Sequence, residues 1–102
     1  MNNKNHLLSL VMEECAEIAK VASKAQRFGK GSVGPTEKFD NEQLMILELN
    51  DLLTIFKLLQ EEEEFFPDYM NDFEDLEYQN KKRERIDKYR AYSKKIGTLE
   101  DD

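Results

Sequence analysis

Four acidic side chains are spaced so that they could act together. Glu14 and Glu17 lie three residues apart, and so do Glu48 and Asp51. On a helix that spacing puts both members of a pair on one face. A helix advances about 100° per residue. Around the first candidate helix, Leu7, Leu10, Val11, Cys15, Ile18, Val21, Ala22 and Ala25 form an apolar arc. Glu14 falls inside that arc and Glu17 at its edge, whereas Glu13 lies on the polar side near Lys20 and Lys24. Around the second, Leu44, Leu47, Leu52, Leu53, Ile55, Phe56, Leu58 and Leu59 define a broader arc. Glu48 lies near its centre, and Asp51 lies between Leu44 and Leu58.

A carboxylate on a buried face is costly unless something neutralises it, and several together also repel one another. The acids must then take up protons, meet basic side chains or share a cation. Hard divalent cations prefer oxygen ligands. Magnesium suits a few carboxylates completed by water and phosphate oxygens, and manganese could substitute. The competing reading is a partly buried acidic set paired with Lys or Arg from a third helix. Other metal chemistries fit less well. The one histidine, His6, makes no Glu-x-x-His pair of the ferritin type. No EF-hand loop is present, and one Cys with one His cannot build a zinc motif.

These residues need helices to position them. Asn5 to Phe28 is rich in good helix formers and is followed by Gly29, a natural stop. Residues 29–40 hold three of the four glycines and one of the two prolines, which predicts a loop. Asp40 followed by Gln43 has the form of a capping box, and the second helix is expected to run to about Phe66, before Pro67. Asn71 followed by Glu74 repeats the signature, which predicts a third helix from about Asp72 to Ile96, ended by Gly97, with a frayed tail at 98–102. No period-two alternation signals a strand. The expected fold is all-α: one domain over 1–102, three helices forming a bundle or half of one shared between subunits.

Bulk composition narrows the function. A net charge of −7 argues against general affinity for nucleic acid. No apolar run approaches the roughly 20 residues of a membrane span. The N-terminus leads directly into an amphipathic pattern rather than a signal peptide. The default expectation is therefore a soluble protein of a reducing compartment such as the cytoplasm, and the single Cys15, on the apolar arc, is expected to be inert core.

The segment Glu13-Glu14-Cys15-Ala16-Glu17, followed some 30 residues later by Glu48-Leu49-Asn50-Asp51, resembles the paired acidic signature of the MazG-like all-α nucleotide pyrophosphohydrolases. Ser23-Lys24-Ala25-Gln26-Arg27-Phe28-Gly29, and the stretch from Tyr89 to Gly97, are similar to the small phage-encoded members. The resemblance implies a MazG-like bundle completed by oligomerisation, as a homodimer or homotetramer. It implies magnesium held by Glu14, Glu17, Glu48 and Asp51, and hydrolysis of a nucleoside triphosphate to monophosphate and pyrophosphate. Glu13, matching the first acid of the signature, would hold a water or support the ligands, and Glu48 or Glu13 would serve catalysis.

The phosphates also need cationic partners. Lys24 and Arg27 follow the first acidic pair, although both sit on the polar side. Lys82 and Arg85 lie near Ile86, Tyr89, Tyr78 and Tyr92 on the third helix, where phage-type relatives carry basic residues, and are the preferred contacts for the β and γ phosphates. The alternative is complementarity to the helix dipole, because residues 61–77 carry nine acids and no base and 81–95 carry eight bases. Two other functions stay open: a non-catalytic helical adaptor on a degenerate MazG-like fold, and an acidic mimic of nucleic acid built on 61–77.

Overall fold

The computed structural model describes residues 1–66 and 75–100. The described residues form three helices and no strand: α1 (Asn3–Phe28), α2 (Asn41–Glu63) and α3 (Leu76–Lys95). They belong to two compact units, Met1–Pro67 and Asp68–Asp102. No described helix is long and apolar enough to cross a membrane.

In the first unit α1 and α2 pack as an antiparallel hairpin. Their register is fixed at both ends. At the open end Asn3 Nδ2 donates to Glu62 Oε1 at 3.1 Å and to Glu63 Oε1 at 3.0 Å. At the loop end Asn41 Nδ2 donates to the Gly29 carbonyl at 2.9 Å. Each helix begins on a side-chain cap. Asn2 accepts from the Asn5 N–H, so α1 starts two residues before the expected Asn5. Asp40 and Gln43 form the full capping box expected for α2. Gly29 leaves α1 at φ 92°, a conformation that strains any side chain, while its N–H still closes the last turn on Ala25.

The second helix stops at Glu63, short of the expected Phe66. Four consecutive glutamates sit badly at a helix C-terminus, where the dipole already concentrates negative potential. Glu64 turns into the left-handed region at φ 59°, and the N–H groups of Glu64 and Phe65 both reach the Leu59 carbonyl. The turn folds Phe66 onto Phe56, ring centroids 5.5 Å apart, with Gln60 Nε2 donating to the Phe66 carbonyl.

The hairpin core is thin. Leu7, Val21, Ile55 and Leu59 are its buried apolar side chains, and Asn41 is its buried polar one. In α1 the stripe facing the partner runs Leu7, Glu14, Val21, and in α2 it runs Asn41, Glu48, Ile55, with the two glutamates half-buried and the rest buried. Both have the seven-residue step of a helix–helix seam. Glu14 and Glu48 thus hold the central place of each seam, where an apolar residue would be expected.

The apolar arcs expected from the wheel are wider than the surface the hairpin covers. Cys15 is exposed, contrary to its expected place in the core, and Ala22 and Leu47 are exposed as well. Two packed helices shield one narrow seam, so residues a step off it meet solvent.

The second unit contains α3, which starts at Leu76 on the side chain of Asp75, an acceptor for the Tyr78 N–H, rather than at Asp72. The expected cap Asn71 and its partner Glu74 lie outside the described residues. The helix ends as expected, with Gly97 at φ 85° and Thr98 N–H returning to the Ser93 carbonyl. No residue of α3 is buried.

Candidate metal centre

The register of the hairpin decides which acids meet. Glu14 lies as far along α1 from Asn3 as Asp51 lies along α2 from Glu62, and Asn3 bonds Glu62. The middles of the two helices therefore face each other. One carboxylate oxygen from each of Glu14, Glu48 and Asp51 comes within 4.8 Å of the others. Glu14 and Glu48 are half-buried, and Asp51 opens to solvent. One side of the cluster is thus walled by protein and the other is accessible.

The electrostatics are unfavourable as they stand. Glu14 Oε2 is buried and receives no hydrogen bond. The Glu48 carboxyl is pushed from 4.5 up to about 7. The largest cause is a hydrogen bond shared with Glu14; burial and the charges of Glu14, Asp51 and Glu17 add to it. A shared proton is one way to hold these carboxylates together, and a cation is the other. Among the described residues of the hairpin, no lysine or arginine forms an ion pair with any of the three. The donor set, all carboxylate with one open side, fits a hard divalent cation that keeps water or phosphate oxygens in its remaining positions.

Of the four expected ligands the structure groups three. Glu17 is exposed and outside the group, although its charge still acts on Glu48. Its peripheral position follows from the wheel, which set it at the edge of the arc. Glu13 is exposed on the polar side. Lys24 is turned toward the loop, where its Nζ lies 3.7 Å from Glu37 Oε1. Lys82 and Arg85 are exposed on α3, and Arg85 lines a surface concavity with Lys88, Tyr89 and Tyr92. Two residues given no role in the sequence stand out at the loop end: buried Asn41, and Lys20 beside the loop. The spacing Lys20, Lys24, Arg27 could have drawn attention to a basic stripe. Nothing in the pattern marks Asn41, which reads as an ordinary first residue of a helix.

Comparison with protein-family models, with curated proteins and with solved structures gives no match to this chain.

Proposed function

We propose that this chain is a magnesium-dependent pyrophosphohydrolase of nucleoside triphosphates. The observation that carries the reading is the convergence of Glu14, Glu48 and Asp51 at mid-hairpin, with a buried, unpartnered oxygen on Glu14. The resemblance of the two acidic pairs to the MazG-like signature supplies the reaction class.

In this reading Glu14, Glu48 and Asp51 hold the cation, and Glu17 tunes the site by its charge. Bound there, magnesium would neutralise the triphosphate and acidify a water for attack at the α phosphorus. The protein's own contribution is placement. The α1 seam supplies Glu14, and adjacent turns of α2 supply Glu48 and Asp51. Asp51 lies on the solvent side, where substrate can enter. Glu13, the first acid of the signature, would hold a water or support the ligands rather than bind the metal.

The proposed assembly is a homodimer or homotetramer. Its support is the uncovered apolar surface of α2, where Ile46 is 58% exposed and Leu49 45% exposed. The same surface favours the second reading, an adaptor that uses this face for another protein.

Pyrophosphate release from a panel of NTPs and dNTPs, with and without magnesium, tests the proposal. Glu48→Ala should abolish release while far-UV circular dichroism stays helical. Wild-type turnover in that variant, or no pyrophosphate from any nucleotide, would leave the adaptor reading in its place.

A further inference from the structure

The net charge of −7 averages over very different segments. Helix α3 alone carries eight bases and three acids. The helix dipole does not account for all of those bases. Its field acts within the last turn, where Lys94 and Lys95 stand. Lys82, Arg85 and Lys88 lie roughly two turns or more before the end of the helix. Two other bases are neutralised locally: Lys81 Nζ lies 3.6 Å from Glu77 Oε1, and Arg90 Nη1 lies 3.3 Å from Asp87 Oδ1. Among the described residues Lys82, Arg85 and Lys88 form no ion pair.

The independent observation is aromatic. Tyr78, Lys82, Arg85, Tyr89, Tyr92 and Ile96 follow one another at alternating steps of four and three residues, which places them along one face. Three of the chain's four tyrosines belong to that stripe. Tyr78, Tyr89 and Tyr92 are 62%, 71% and 59% exposed. On the helical wheel Glu77, Glu84 and Asp87 fall outside the stripe, so its only charges are positive. Arg85, Lys88, Tyr89 and Tyr92 line an open concavity of about 530 Å³. Exposed rings interleaved with cations are what a single nucleic acid strand needs: its bases stack on the rings and its phosphates meet the cations. A duplex keeps its bases stacked on one another and would leave the rings unused. A second copy of the stripe would bring like charges together.

We propose that the tyrosine face of α3 binds single-stranded nucleic acid without sequence preference. Tyr89 and Tyr92 take bases by stacking, and Lys82, Arg85 and Lys88 take backbone phosphates. From Lys82 to Tyr92 is ten residues of helix, about 15 Å, the length of roughly four stacked nucleotides at about 3.4 Å each. The face therefore suits successive nucleotides of a strand rather than one mononucleotide. It uses none of Glu14, Glu48 or Asp51 and does not rest on the metal reading.

Fluorescence anisotropy with the full chain in EDTA, at about 50 mM salt, tests it, with labelled oligothymidylate and oligouridylate of about 15 nucleotides as probes. Both should bind, and log affinity should fall against log salt with a slope of about −2, as for three phosphates of a single strand. Arg85→Gln/Lys88→Gln should make that slope shallower by about 1.4. Tyr89→Ala/Tyr92→Ala should weaken binding at least about five-fold with the slope unchanged, whereas Tyr89→Phe/Tyr92→Phe, which keeps the rings, should bind as wild type does. All four side chains are exposed, so far-UV circular dichroism should stay helical in each variant. No rise in anisotropy up to about 100 μM protein would overturn the proposal. So would wild-type affinity in the alanine variant, or duplex DNA binding as tightly as a single strand. Polyglutamate binding as tightly would overturn it in favour of an acidic protein partner. A nucleoside triphosphate displacing the strand at equal concentration would reduce the face to a mononucleotide contact and overturn it too. Because EDTA removes divalent cations, none of these outcomes depends on whether the chain hydrolyses nucleotides.

Discussion

Replacing Glu48 by glutamine should make the metal-free protein more stable while removing its response to magnesium. The Glu48 carboxyl is held at about 7 in the fold against 4.5 in its ordinary state. Between those two values the folded chain binds a proton that the unfolded chain has released, so stability falls as pH rises and the loss is complete above about 7. At about 1.4 kcal/mol per pKa unit the shift would correspond to roughly 3 kcal/mol; solvent screening at a half-open site reduces it to about 1–2 kcal/mol. Glu48→Gln removes the charge and offers an N–H to the Glu14 carboxylate with which Glu48 already shares a hydrogen bond. In EDTA at about pH 8 its Tm should therefore exceed that of wild type by at least about 4 °C, since 1 kcal/mol moves a domain of this size by about 4–8 °C. The difference should shrink as pH falls below 7 and vanish only below 4.5, where Glu48 is protonated in both states. Magnesium should reverse the order, because binding at 100 times Kd stabilises wild type by about 2.7 kcal/mol and the variant much less. Thermal melts by circular dichroism across pH, in EDTA and in magnesium, measure every term. A Glu48→Gln protein less stable than wild type in EDTA at alkaline pH would refute the electrostatic reasoning, and an equal magnesium response would refute the ligand assignment.

Asp51→Ala should lose most of the magnesium-induced rise in Tm, whereas Glu17→Ala should keep most of it, because Asp51 belongs to the converging group and Glu17 does not; a magnesium titration of both melts decides. Leu59→Ala should lower stability by about 2–5 kcal/mol, read from urea denaturation, since Leu59 is 1% exposed in a core of few members. Cys15 should react with a thiol reagent in the native protein at a rate close to that of the unfolded chain, because its side chain is exposed.

Helix type and number were legible because the signals were local. The Asp40–Gln43 capping box, Gly29 and Gly97 each act within a few residues of themselves. The second helix ended early because its stop depends on contacts the pattern does not carry: Glu64 turned left-handed and Phe66 folded back on Phe56. The site was legible in part for a related reason. A wheel reports which residues share a face, so Glu14, Glu48 and Asp51 appeared as acids on apolar arcs, and Glu17 as marginal. A wheel does not report how much of an arc a partner covers. Cys15 and Leu47 were therefore placed in a core that two helices cannot supply. Asn41 was invisible for the opposite reason, since its burial depends on the loop closing over the end of the hairpin.

The seams show why stability and chemistry sit at different levels of the same hairpin. Seven residues separate Leu7 from Glu14 and Glu14 from Val21, and the same step links Asn41, Glu48 and Ile55. In an antiparallel pair these steps form three levels. Leu7 stands with Ile55 and Leu59 toward the open end, Glu14 and Glu48 occupy the middle, and Val21 accompanies Asn41 at the loop. Only the first level is wholly apolar. The middle level opposes folding unless protons or a cation join it, and the loop level holds an acceptor that lacks a donor. Burial at the open end, together with the caps on Asn2 and Asp40, must therefore offset two levels of unmet polarity. A ligand that satisfies the middle level would add stability there without changing the packing that sets the register. A hairpin built in this way is marginal when empty, and a cation bound at the middle level would add its binding free energy directly to folding.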